Sequence, residues 1–110
     1  MNNKEIINKV IEIREFIENS TLYKNYLKSR ELVNSDIELM TLIENIKKYQ
    51  KEMIKSPNKK EELEIKIDES LEILNNNLTY LEYINLQEEV NNLLTIFENK
   101  INKYFDSVFN

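Results

Sequence analysis

Apolar side chains recur every three or four residues along most of this 110-residue sequence, which is the spacing of an amphipathic helix. In the first segment, from about Asn3 to Glu18, this spacing places four residues on one face: Ile6, Val10, Ile13 and Ile17. Glycine is absent and proline occurs once, so asparagine and serine must supply most of the helix breaks. The pattern therefore predicts an all-α protein.

A short second helix and a long third helix should follow. Ser20 is the predicted cap of the second helix. The motif SDIE, residues 35–38, has the form of a capping box, in which the Ser35 hydroxyl accepts a hydrogen bond from the Glu38 amide. This motif should open a third helix with a buried stripe of seven residues: Leu39, Leu42, Ile43, Ile46, Tyr49, Gln50 and Met53.

The segment SPNKK, residues 56–60, should end the third helix, because proline cannot continue a helix but suits the first position of the next. Ser56 is the predicted cap of the fourth helix, and Asn77 of a fifth that reaches Tyr104 or beyond. Short turns between long helices favour antiparallel neighbours. The sequence thus predicts one domain over residues 1–110, an elongated antiparallel helical bundle with a long helical hairpin and a long C-terminal helix.

The last helix carries more apolar side chains than one face can use. Tyr80, Leu81 and Ile84 fall outside its main stripe, and Ile37 and Met40 are similarly off the stripe of the third helix. A contiguous exposed apolar patch usually marks an interface, so these five residues are predicted to contact another subunit or a partner. The alternative is that the first two helices cover them within the same chain.

A row of lysines lies near the predicted hairpin tip. Lys47, Lys51 and Lys55 stand four apart on the face opposite the buried stripe, and Lys59 and Lys60 follow. Carboxylates dominate the next helix, so the two segments can pair across the hairpin. These five residues, the lysine row, are either a contact for RNA or an acidic partner, or a solvated helix face. The face has no aromatic side chain on which a base could stack, which argues against direct nucleic-acid binding.

Composition narrows the function further. The sequence has no cysteine and no histidine, so thiolate sites and the usual general base are absent, and without glycine it cannot build a phosphate-binding loop. We therefore predict no enzyme activity, no metal and no cofactor. The net charge of −5 disfavours a broad phosphate-binding surface. No apolar run is long enough to span a membrane and the N-terminus lacks a signal-peptide core, so a cytoplasmic protein is expected.

Two stretches of the sequence resemble the YlbF/YmcA family of small helical regulators in Firmicutes. They are LYKNYLKSRELVNSDIELMTLIENIKKYQKEM, residues 22–53, and NNLTYLEYINLQEEVNNLLTIFENKI, residues 76–101. The resemblance extends from about Ile6 to Tyr104. Within the family the closing stretch is most similar to the YmcA branch, through Tyr83, Gln87, Val90, Asn91, Leu93 and Leu94.

The resemblance implies an oligomeric regulator without catalysis of its own, most simply a homodimer. Family members act with other helical regulators and with the protein YaaT on the endoribonuclease RNase Y, and thereby on mRNA processing, competence, biofilm formation and sporulation. The family's complex is associated with iron–sulfur clusters held by cysteines, which this sequence does not contain. Two other function classes stay open: a small acidic holdase or secretion-type chaperone, and an RNA-binding protein that uses Lys47, Lys51 and Lys55.

Overall fold

Five α-helices make up almost all of the computed structural model, which describes residues 3–109. They are α1 Asn3–Glu18, α2 Thr21–Ser35, α3 Ile37–Lys55, α4 Lys60–Asn75 and α5 Leu78–Phe109, with a short 3-10 turn, Pro57–Lys59, before α4. No strand occurs within residues 3–109, so the predicted all-α class is confirmed. With 32 residues at ~1.5 Å each, α5 is about 48 Å long and is the predicted long C-terminal helix.

Two helices begin at the predicted capping side chains. The Ser20 hydroxyl accepts a hydrogen bond from the backbone N–H of Tyr23 at 3.1 Å and donates one to the carbonyl of Ile17 at 2.7 Å. At the start of α5, Asn77 Oδ1 accepts from the backbone N–H of Tyr80 at 2.9 Å. Each cap satisfies a backbone donor that the first helical turn leaves without an intrahelical partner.

The predicted capping box at Ser35 is wrong by one residue. α2 continues through Ser35, whose hydroxyl donates to the carbonyl of Glu31 at 2.6 Å and so does not act as a cap. The cap of α3 is Asp36, whose Oδ1 accepts from the backbone N–H of Leu39 at 3.1 Å. A carboxylate is favoured at this position because it also meets the positive end of the helix dipole.

Ser56 is not the cap of α4 either. Pro57 opens a 3-10 turn, in which the N–H of Lys59 donates to the Ser56 carbonyl at 3.0 Å, so α4 itself begins only at Lys60. Ser56 makes no side-chain cap bond, and its own N–H donates to the carbonyl of Glu52 at 2.8 Å. It therefore closes α3, and the tight turn separates it from the helix that it was predicted to open.

The chain divides into two compact units. One, the hairpin unit, is Ser29–Ile84, and the other, the terminal unit, combines the chain up to Lys28 with the chain from Asn85 onwards. Helices α2 and α5 each supply residues to both units. The single domain over residues 1–110 stays a prediction.

In the hairpin unit, α3 and α4 pack against each other in antiparallel directions. Glu52 pairs with Lys59 near the tip, and one turn earlier on α3 the ring of Tyr49 lies 5.7 Å from Lys66 Nζ. The later residue of the chain thus contacts the earlier residue of α3, as two antiparallel helices require. The predicted helical hairpin is confirmed. Four buried residues form the hairpin core, and α2 contributes the first of them: Val33, Leu39, Ile46 and Leu74.

The terminal unit has a thinner apolar core. Ile17 on α1 and Val90 on α5 are its buried hydrophobic residues within the described part of the chain. The rings of Phe16 and Phe97 meet edge to face, with centroids 5.6 Å apart, a favoured geometry for aromatic pairs. Of the predicted α1 stripe, Val10 stays exposed.

Candidate functional site

An open groove of about 380 Å³ lies on the hairpin unit. The end of α2, the middle of α3, the end of α4 and the start of α5 all contribute to it. Most of its lining is apolar: Val33, Met40, Ile43, Ile46, Leu71, Leu74, Tyr80, Tyr83 and Ile84. The polar lining residues are Asn34, Gln50 and Lys47, and Lys47 is the one charged side chain among them.

Three of the five residues predicted as an interface come together in this groove. Met40, Tyr80 and Ile84 all line it and are all half-buried. Met40 and Tyr80 also pack against the hairpin core, to which Val33 of α2 belongs. Burial within the same chain, which the sequence left open as an alternative, therefore accounts for part of their apolar surface.

The other two predicted interface residues lie outside the groove lining. Ile37, the first residue of α3, is 83% exposed, and Leu81 on α5 is half-buried. An isoleucine this exposed gains little from burial in its own fold. The role of all five residues as an interface stays a prediction.

The lysine row meets the groove at its first residue, which lies beside Ile43 and Ile46 of the buried stripe and not on the opposite face as predicted. Lys47 lines the groove, and Lys51 and Lys55 follow at intervals of one helical turn, all three exposed. None of the three makes an ion pair with a carboxylate of residues 3–109. Their charges are thus available to a ligand or to solvent.

The last two residues of the row, Lys59 and Lys60, have partners. Lys59 Nζ lies 3.8 Å from Glu52 Oε1, which joins the 3-10 turn to α3. Lys60 Nζ lies 3.8 Å from Glu64 Oε1, one turn along the same helix. Neither contact is the predicted pairing between lysines of α3 and carboxylates of α4, because the first joins the 3-10 turn back to α3 and the second stays within α4.

The outer face of α4 is acidic and carries two exposed isoleucines that sequence reasoning missed. Ile65 is 59% exposed and Ile73 is 60% exposed. Exposed carboxylates surround them: Glu61, Glu62, Asp68, Glu69 and Glu72. The sequence does contain a signal for their exposure. On a helical wheel, at ~100° per residue, both isoleucines lie off the stripe formed by the buried residues of α4.

A smaller cavity of about 210 Å³ lies in the terminal unit, between α1 and α5. Ile6, Val10, Ile101 and two lysines contribute to its lining. Lys9 is ion-paired with Glu12 at 3.6 Å, and Lys100 lies over the ring of Phe97 at 5.9 Å. Both cations are thus engaged on their own helices, which makes this cavity a weaker candidate than the groove.

The geometry of the described residues suits non-covalent binding. In residues 3–109 no group of three or more acidic, histidine or cysteine side chains is placed to hold a metal ion. No helix in that range has the length and apolar character that crossing a bilayer requires. What the hairpin unit offers is an open apolar groove with one cationic side chain, Lys47, in its lining.

A family model described as control of competence regulator ComK, YlbF/YmcA, matches residues 6–104. No curated protein and no solved structure matches the chain. The family description includes YlbF and YmcA alike, so the greater similarity to YmcA stays a prediction. Because the match extends over most of the sequence, this chain belongs to the YlbF/YmcA family of competence regulators.

Proposed function

We propose that this chain is a regulatory adaptor that acts by binding other proteins and has no catalytic activity of its own. The observation that carries the proposal is the groove of the hairpin unit, which is apolar and open and has Lys47 as its one charged lining residue. An open apolar surface of this kind usually serves recognition. The family's description as a regulator of competence supports the same conclusion.

The partners that we propose are those that the family resemblance implies. They are other small helical regulators and an RNase Y-like endoribonuclease in the cytoplasm. By binding them, the adaptor modulates mRNA processing and, through it, competence, biofilm formation and sporulation. Lys47, Lys51 and Lys55 serve to steer and orient an acidic partner surface, since charge complementarity raises association rates and suppresses wrong partners.

We infer that the chain also forms a homo-oligomer, most simply a dimer, and we assign its contact to Ile37 and Leu81, outside the groove lining. Ile37→Asp should lower the mass measured by light scattering or sedimentation and leave the helix content unchanged, because the side chain is 83% exposed. The matched control is Ile54→Asp, which replaces an isoleucine that is 82% exposed at the far end of α3. An unchanged mass for Ile37→Asp contradicts this assignment.

The experiment that tests the adaptor function is a tagged pull-down from the native host, treated with nuclease and identified by mass spectrometry. The wild-type chain should recover an RNase Y-like nuclease and other helical family members. Ile84→Asp in the groove should lose them, while Leu78→Asp, at a side chain 82% exposed and outside the lining, should retain them. Circular dichroism of each variant separates lost binding from lost folding.

Two results would replace this proposal. Recovery of one unrelated and unstable client would indicate a holdase or secretion-type chaperone. Salt-dependent affinity for RNA in a filter-binding assay, lost in Lys51→Ala with Lys55→Ala, would indicate an RNA-binding protein, because phosphate contacts weaken as salt rises. Neither result is expected from an adaptor that recognises protein surfaces.

A further inference from the structure

We propose that the groove of the hairpin unit binds an acidic amphipathic helix that belongs to a partner protein. The inference rests on the proposed adaptor function and deepens it, because it names the chemistry of the segment that the adaptor recognises. The shape of the groove, the charges around it and the position of the acidic face of α4 support it.

The groove has the dimensions of a helix-binding site. On α3 its lining runs from Met40 to Gln50, a stretch of eleven residues that rises ~15 Å along the helix, about three turns. Leu71 on α4 and Tyr80 on α5 belong to the same lining. An amphipathic helix binds such a surface by placing apolar side chains from successive turns into it. Methionine suits this role because its flexible side chain adapts to different ligand shapes.

The charges around the groove favour an acidic ligand. Its lining includes no carboxylate, although the sequence contains 20 acidic residues, and its one charged side chain is Lys47. Lys51 and Lys55 follow one and two turns later on α3, outside the lining, and neither is ion-paired within residues 3–109. The carboxylates adjacent in sequence to lining residues all lie outside the lining: Glu44, Glu72 and Glu82. A helix that carries carboxylates beside its apolar stripe complements this arrangement.

A second copy of this chain is a poorer fit for the groove. The outer face of α4 has the right chemistry, with Ile65 and Ile73 among carboxylates. However, Glu69 on that face lies two residues, or ~200°, from Leu71, which lines the groove from the same helix. The two surfaces therefore point in nearly opposite directions. Copies joined in this way add head to tail, as a ring or an open array, and do not close into a pair.

Two synthetic peptides of about 16 residues test the inference, a length that allows a helix to form on binding. Both carry the same leucine stripe at helical spacing, and they differ only in that glutamates flank the stripe in one and lysines in the other. Fluorescence anisotropy with the full chain measures the affinity for each. The acidic peptide should bind at least about tenfold more tightly, and its affinity should fall as salt is raised.

Three variants locate the binding. Ile84→Asp should abolish it, and Leu78→Asp, outside the lining, should leave it unchanged. Lys47→Glu replaces an exposed side chain, so it should fold normally and should narrow or invert the preference between the peptides. Equal affinity for both peptides overturns the inference, and so does an acidic-peptide affinity that Ile84→Asp and Lys47→Glu both leave unchanged.

The test separates this inference from the adaptor function itself. If the pull-down recovers the expected partners while the acidic peptide does not bind, the adaptor function stands and the acidic-helix assignment is wrong. Sedimentation of an oligomer gives a further test. If Ile84→Asp dissociates the oligomer and the acidic peptide fails to dissociate it, the groove belongs to a second copy and the inference is overturned. Selective peptide binding without any recovered partner would support the groove chemistry and count against the proposed cellular role.

Discussion

The hairpin unit and the terminal unit bury their apolar residues very differently. In the hairpin unit, α2, α3 and α4 each contribute to one cluster, so that buried residues touch other buried residues. In the terminal unit, Ile17 and Val90 are the buried hydrophobic residues within the described range. Both units also expose large apolar side chains, so the difference between them lies in the core: within the described residues five hydrophobic residues are buried in the hairpin unit and two in the terminal unit.

This difference indicates which unit supplies the stability of the fold. Local opening costs most where buried apolar contacts are dense and least where they are sparse. The groove lies on the densely packed unit, so its residues are held by a core and are preorganised for binding. The terminal unit, by contrast, should be the first to open.

The largest predicted effect is that of Leu74→Ala in the hairpin core. Leu74 is 3% exposed, and truncation of such a leucine leaves a cavity, so the free energy of unfolding should fall by about 3 kcal/mol. Urea denaturation followed by circular dichroism measures it. The counterpart Val90→Ala removes two buried carbons at ~0.8 kcal/mol each and should cost about 1.5 kcal/mol. Equal losses for the two variants would break the comparison between the units.

The fold was predictable from the sequence to the extent that it depends on local signals. Helical spacing and the caps at Ser20 and Asn77 are properties of one short segment, and they located the starts of α2 and α5 correctly. The start of α3 was misplaced because Ser35 and Asp36 are both good caps. In the structure α2 continues through Ser35, whose hydroxyl donates to the Glu31 carbonyl, and Asp36 caps α3.

The candidate site was less predictable, because it is assembled from residues distant in sequence. Met40, Tyr80 and Ile84 were recognised as off-stripe, but their convergence into one groove depends on the packing of α2, α4 and α5 around α3. Helical-wheel reasoning treats one helix at a time and therefore cannot show which faces meet. It also gave Gln50 a place in the core, whereas this amide is exposed at the groove.

The next largest effect is predicted for the cap of α3. Asp36→Ala removes the acceptor for the N–H of Leu39, which lies 3.1 Å from Oδ1, and should lower the free energy of unfolding by about 1 kcal/mol. Ser35→Ala is the control, because its hydroxyl does not cap the helix, and it should change stability by less than about 0.5 kcal/mol. If chemical denaturation showed a larger loss of stability for Ser35→Ala than for Asp36→Ala, the cap would be Ser35, as the capping-box motif suggested.

A conservative pair of substitutions sharpens the comparison between the two units. Ile46 and Ile17 are almost equally buried, at 7% and 8% exposure, but Ile46 belongs to the hairpin core. Isoleucine to valine typically costs about 0.5–1.5 kcal/mol, depending on how well the surroundings collapse around the lost methylene. Ile46→Val should fall in the upper half of this range and Ile17→Val in the lower half. Denaturation midpoints of the two variants under identical conditions test this ordering.

The smallest predicted effect concerns the ion pair at the hairpin tip. Lys59 and Glu52 are 55% and 46% exposed at the side chain, and their charged atoms are 3.8 Å apart. Solvent screens such a pair, so a double-mutant cycle of Lys59→Met and Glu52→Gln should give a coupling below about 0.5 kcal/mol that disappears in high salt. Arg14 and Glu18 on α1 form an exposed pair at the same separation and should give an equally small coupling. A coupling above about 1 kcal/mol for Lys59 and Glu52, but not for Arg14 and Glu18, would contradict this expectation. Charge pairing would then add to apolar packing in making the hairpin unit more stable than the terminal unit.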